Sequence, residues 1–166
     1  MARIPYRDLT MAPEDVQKLV AMFAPLNIFR MLAHADSLLR GFGHLGAAIL
    51  GRAALDARLR ELAILRVAAR SPAAYEWQQH VPIARASGAS ERALLRFTDE
   101  LLDGPRASDE ALAAMRASFT DREVCEAILT IGYYMMVARV LETTGVDLEA
   151  DSAATVTGMV ERLRRL

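Results

Sequence analysis

Apolar residues along this chain recur three and four positions apart and almost never alternate, and β-branched residues do not cluster, so the pattern predicts helices throughout and no strand. After an extended arm over 1–12, helical spacing runs from about Pro13 to Ala24, and an irregular segment follows from Asn27 to His34. Asp36 opens a helix to Gly51. Leu32, Leu38, Leu39 and Leu45 read as core there, and Gly41, Gly43 and Gly46 as close-packing positions, since each glycine costs about 1 kcal/mol of helix propensity that packing must offset. Asp56 is an N-cap for a helix reaching Arg70, with Leu59, Leu62, Leu65 and Ala69 as its apolar stripe.

Further start and stop signals divide the rest. Ser71 with Pro72 opens a helix over 72–87 that Gly88 ends, giving an antiparallel hairpin with the helix before it. Ser90 caps a helix to about Phe97, extended by Thr98 to Asp103 and broken at Gly104 and Pro105. Ser108 opens another, with Asp109 and Glu110 favourably placed in its first turn. Thr120 and Glu123 form a capping-box pattern for a helix to about Thr143, before Gly145. An amphipathic helix over about 152–166 closes the chain.

Composition narrows this to one domain, 1–166, able to bury roughly two thirds of its unfolded surface. The chain is 53% hydrophobic, with a mean hydropathy of +0.16, yet no apolar run approaches the roughly 18 residues of a membrane span. Part of that apolar surplus is expected between subunits of a homo-oligomer, with no membrane partner. A net charge of -1 and the lack of a basic stretch exclude nucleic acid as the main partner. The single cysteine, Cys125, forms no disulfide framework or Cys-rich metal site within one chain; amid Val124, Ile128 and Leu129 it reads as a buried small hydrophobe. No apolar signal segment opens the chain, and a cytoplasmic location is expected.

The chemistry concentrates on two helices. Glu76 and His80 stand four apart, on one face with Trp77, Ile83 and Ala84. Glu61 lies beside Ile64, Leu65 and Ala68, where an unpaired carboxylate is costly. A hairpin makes His80 a partner for Glu61, and Pro82 bends the helix where these residues sit, opening room for a cavity. Plainer readings stand beside this one. Glu76 and His80 are also an ordinary helix pair, Glu61 also a partner for Arg58 or another arginine, and Tyr75, Trp77, Tyr133 and Tyr134 also core. His34, His44 and His80 have no helical metal-ligand spacing, so no metal is expected.

The run Leu55-Asp56-x-Arg58-Leu59-Arg60-Glu61-Leu62-x-Ile64-Leu65-Arg66-Val67, then Tyr75-Glu76-Trp77-x-x-His80 and Ala84-x-x-x-Gly88, resembles the core motif of the AhpD-like, carboxymuconolactone decarboxylase family. Leu26 to His34 and Gly132-Tyr133-Tyr134-Met135 resemble the same family, so the likeness spans about Leu26 to Gly145. It implies an all-α, AhpD-like domain built on an antiparallel helix hairpin and assembled as a trimer or hexamer. In peroxidase members a glutamate, a Cys-x-x-Cys pair and a histidine act together. The glutamate matches Glu61 and the histidine His80, but the cysteine positions fall on Ala73 and Glu76. Thiol peroxidase chemistry needs a thiolate that neither residue supplies.

The resemblance therefore implies the decarboxylase branch, which works without redox cysteines, metal or organic cofactor. Glu61, Glu76 and His80 are the expected catalytic set, moving protons on a small carbonyl, lactone or carboxylate substrate. His80 is the principal acid/base, Glu61 its orienter and Glu76 a second acid or base. Tyr75, Trp77 and Tyr134 shape the pocket, and Arg30 or Arg66 stabilises an oxyanion. The alternatives are alkylhydroperoxidase activity, disfavoured for want of the cysteine pair, and a non-catalytic helical binding or assembly module.

Overall fold

A computed structural model describes residues 2–23, 26–71, 74–75, 80 and 91–149. Among them the chain is all-helical: α1 (Glu14–Phe23), α2 (Asn27–Leu32), α3 (Asp36–Arg52), α4 (Ala57–Arg70), α5 (Glu91–Asp103), α6 (Asp109–Arg116) and α7 (Asp121–Thr144), with a 3-10 turn at Leu9–Met11. The expected helix over 72–87, the hairpin it forms, the kink at Pro82 and the helix over 152–166 lie outside the described residues, apart from Ala74, Tyr75 and His80, which are helical.

The helix ends obey the local chemistry that predicts them. Asp56 accepts from the amides of Arg58 and Leu59, and Ser108 from that of Ala111. At the start of α7 the Thr120 amide donates to the Glu123 carboxylate at 2.8 Å, while the Glu123 amide donates to the Thr120 hydroxyl at 3.3 Å. Two otherwise orphaned N–H groups are satisfied reciprocally. Gly145, just past α7, has φ +63°, the left-handed geometry that ends a helix and favours glycine.

The chain divides into two compact units, one running to Arg52 and resuming at Val140, the other spanning Ala53–Arg139. In the first, α1, α2 and α3 pack on one another, with the Phe23 and Phe29 rings stacked at 5.2 Å. A Cβ on Gly43 would fall 2.1 Å from the Phe23 ring, so this glycine is where α1 and α3 close up. Gly41 has open space instead, and the expected close packing does not extend to it. The N-terminal arm is pinned down: the Arg3 amide donates to the Thr144 carbonyl, and Tyr6 donates its hydroxyl proton to Asp147 while accepting from the Asp147 amide.

In the second unit α4 packs chiefly on α5, and α5 on α6. Arg66 crosses from α4 to clasp both Asp99 oxygens at 2.7 Å, which holds the Asp99 carboxyl below the usual carboxylate range, chiefly by that hydrogen bond. Leu94, Phe97, Ala111, Met115, Ala127 and Ile131 form the interior with the buried face of α4.

Several expectations are corrected. The deepest face of α4 is Glu61, Ala63, Ile64, Val67 and Ala68, whereas Leu62 is half-buried and Ala69 exposed. Leu59 and Leu65 of the expected stripe are buried, but the helix is buried on most sides, so the stripe does not mark its deepest face. Leu38 is 70% exposed and Leu45 exposed, so of the leucines of α3 expected in the core only Leu39 is buried, joined by Leu50. Cys125 is exposed, as are Ile128 and Leu129 on the same outer stripe of α7. The helix α7 is also long and apolar enough to cross a membrane by length and composition, with mean hydropathy 1.5, which the short apolar runs had not indicated. Half of that stretch is buried inside the protein, as in a core helix.

Candidate active site

Helix α4 carries two charged residues into the interior side by side. Arg60 is 3% exposed and Glu61 fully buried. Neighbours on a helix point about 100° apart, so adjacency alone does not pair them; the long arginine stem bends back to do it. Both Nε and Nη2 of Arg60 donate to the same glutamate oxygen, Oε1, at 3.2 and 3.0 Å. The other oxygen, Oε2, lies 2.5 Å from Nδ1 of His80. The two carboxylate oxygens thus have separate partners.

Burial is the largest influence on Glu61 and by itself would raise its pKa. The hydrogen bond of His80 and the positive charge its ring carries when protonated, joined by the charge and hydrogen bonds of Arg60, outweigh it and leave the pKa below the usual glutamate value. An ionised carboxylate only accepts hydrogen bonds, so Nδ1 of His80 is the protonated nitrogen and donates to Oε2. In the neutral ring Nε2 then carries the lone pair, and no hydrogen bond joins it to another described residue. His80 is 6% exposed. Its ring meets the Tyr134 ring edge-on, with centroids 5.1 Å apart and planes at 89°, and Tyr134 meets Tyr133 in turn at 5.3 Å.

Of the residues singled out from the sequence, the structure brings together Glu61, His80 and Tyr134. Tyr75 is buried, while Glu76 and Trp77 lie outside the described residues. The arginines proposed as oxyanion stabilisers are otherwise engaged. Arg66 is bound to Asp99, and Arg30 has its guanidinium 4.8 Å above the Tyr6 ring. The residue that sequence reasoning missed is Arg60. An arginine inside an apolar run gives no spacing signal that it will turn inward; the sequence pointed to Arg58 or another arginine as a partner of Glu61, and the structure makes that partner Arg60.

What this arrangement can do is hold an imidazole in one tautomer and transfer a proton at its outer nitrogen, with a fixed anion behind it to stabilise the imidazolium. His34, by contrast, bonds the Pro5 carbonyl at 2.8 Å.

The Carboxymuconolactone decarboxylase family model matches residues 36–117, a stretch that includes Arg60, Glu61 and His80. Two crystal structures share the fold. An alkylhydroperoxidase AhpD core, an uncharacterized peroxidase-related protein from Ralstonia eutropha JMP134, superposes with a TM-score of 0.79 at 20% identity, covering 93% of this chain and 96% of that one. An uncharacterized peroxidase-related protein from Silicibacter sp. TM1040 gives a TM-score of 0.74 at 17% identity, covering 93% and 95%. No curated protein matches the chain in sequence. The fold is thus the all-helical AhpD type. The family match over residues 36–117, together with the shared fold, supports an AhpD-like member of the carboxymuconolactone decarboxylase family.

Proposed function

We propose that the protein is a cofactor-independent acid/base enzyme of the decarboxylase branch, moving a proton on a small carbonyl, lactone or carboxylate substrate. The observation that carries this reading is the buried Glu61 to His80 hydrogen bond. A fully buried carboxylate held in its ionised form costs stability unless compensated, and here it serves to orient an imidazole. His80 acts as the base at Nε2 and returns the proton as an acid. Glu61 stabilises the cationic ring between those steps, and Tyr134 fixes the ring plane. Glu76 remains the proposed second acid or base.

The test is to incubate the protein with a panel of small carboxylated γ-lactones and β-keto acids in D2O, following deuterium incorporation and carbon dioxide release by NMR. Exchange or decarboxylation that vanishes in His80→Ala, with the helical circular dichroism spectrum unchanged, supports the reading. Turnover unaltered in that variant sinks it.

A second reading, hydroperoxide reduction, draws on the names of the two similar structures, both peroxidase-related. It requires a reactive thiol, and the chain's one cysteine is the exposed Cys125 on α7. Dithiol-dependent peroxide consumption lost in Cys125→Ser would establish it in place of the first.

A further inference from the structure

Arg60 has no role in the reading so far beyond neutralising a neighbour, yet its placement constrains what His80 can be. We propose that Arg60 is a positioning residue that keeps Nε2 of His80 free of a proton, by supplying from the protein the positive charge that Glu61 would otherwise draw onto the imidazole. This rests on the acid/base reading of the same site and names what poises it.

The argument is one of charge balance in a dry place. The described groups facing the His80 ring are the Glu61 carboxylate, itself held by Arg60 on the same helix, and the Tyr134 ring from α7. Among the described buried groups, Arg60 and Glu61 balance each other's charge when both are ionised, and a second proton on the imidazole would add a net positive charge to them. Without the guanidinium a lone negative charge would remain in the interior, and the site would relieve it by taking up a proton. That proton has two resting places. On Glu61, the carboxylic acid would donate to Nδ1, which forces the hydrogen of the ring onto Nε2. On His80, the imidazolium would carry hydrogens on both nitrogens. Either way Nε2 ceases to be an acceptor.

The hydrogen bonds at Glu61 give each partner its own oxygen. Both guanidinium donors converge on Oε1 and leave Oε2 wholly to the histidine, at 3.2, 3.0 and 2.5 Å respectively.

The test is two-bond proton-nitrogen NMR of protein labelled with 15N-histidine, with the His80 signals identified by their loss in His80→Gln. In the wild type near neutral pH, Nδ1 is expected to give a protonated, pyrrole-type signal and Nε2 an unprotonated, pyridine-type signal. A protonated Nε2 in the wild type overturns the proposal outright. Arg60→Met and Arg60→Gln, the second retaining an N–H donor without charge, are each expected to lose the pyridine-type signal. Arg60→Lys, which restores the charge, is expected to recover it. A wild-type pattern in either neutral variant overturns the proposal. The readout needs no substrate, so its outcome is separate from that of the turnover assay: ring protonation can follow Arg60 in a protein with no turnover, and turnover can depend on His80 with the ring indifferent to Arg60.

Discussion

Oε2 of Glu61 and Nδ1 of His80 meet at 2.5 Å across 19 positions of sequence, with the carboxylate fully buried and the ring nearly so. On the proposed reading, a contact of this kind ties stability and chemistry to the same two side chains.

For catalysis, removing either partner should be costly without unfolding the chain. With a substrate in hand, His80→Ala is expected to lower kcat by about 10²- to 10⁴-fold, the usual worth of a positioned acid or base. Glu61→Gln should lose less, because the base remains but its orientation and charge compensation do not. Steady-state rates of both variants, with circular dichroism as the check on fold, decide this.

For stability, the lowered pKa of Glu61 has a definite sign. A group held below its unfolded value, about 4.3 for glutamate, contributes stability that is fully present above that value and is lost as pH falls through the folded one. Glu61→Gln should therefore be about 3 kcal/mol less stable than wild type at neutral pH, since it leaves Arg60 buried without its counter-charge. The gap should narrow steadily below about pH 4. Urea unfolding of both proteins between pH 3 and 7 measures it, and a gap independent of pH would contradict the assignment.

Two glycines of α3 should respond in opposite directions to alanine. Gly43→Ala places a Cβ 2.1 Å from the Phe23 ring and is expected to cost about 1–3 kcal/mol by overpacking, recovered in part by Phe23→Leu. Gly41→Ala meets open space and should stabilise by about 0.5–1 kcal/mol through helix propensity. Thermal melts of the three variants give the signs directly.

The exposed thiol of Cys125 should react with Ellman's reagent in the native protein nearly as fast as in denaturant. Cys125→Ser should leave the melting temperature within the small range of surface substitutions. Slow native labelling would place the thiol in the interior, where the apolar neighbours in sequence had suggested it.

Capping signals were the most legible part of the fold. Asp56, Ser108 and the Thr120 to Glu123 box are each local, a side chain answering an amide two or three residues away, so the sequence contains the whole interaction. Burial was less legible because it depends on what lies opposite. Leu38 and Leu45 occupy apolar positions of α3 yet face outward, and Cys125 follows the exposed stripe of α7 rather than its buried one. On α4, apolar on most sides, no periodicity could say which face lay deepest.

By itself, then, the sequence determined that the chain is helical, where most of its described helices begin and end, and that Glu61 and His80 belong together. All of these rest on contacts within a turn of helix or on a recognisable motif. Tertiary structure alone decided that Arg60 turns inward and takes one oxygen of Glu61 while His80 takes the other, and that the Tyr134 ring closes on the imidazole. The physical reason is that a long, flexible cationic side chain has many rotamers compatible with its helix. Only the desolvation of a particular buried anion makes one of them worth its entropy.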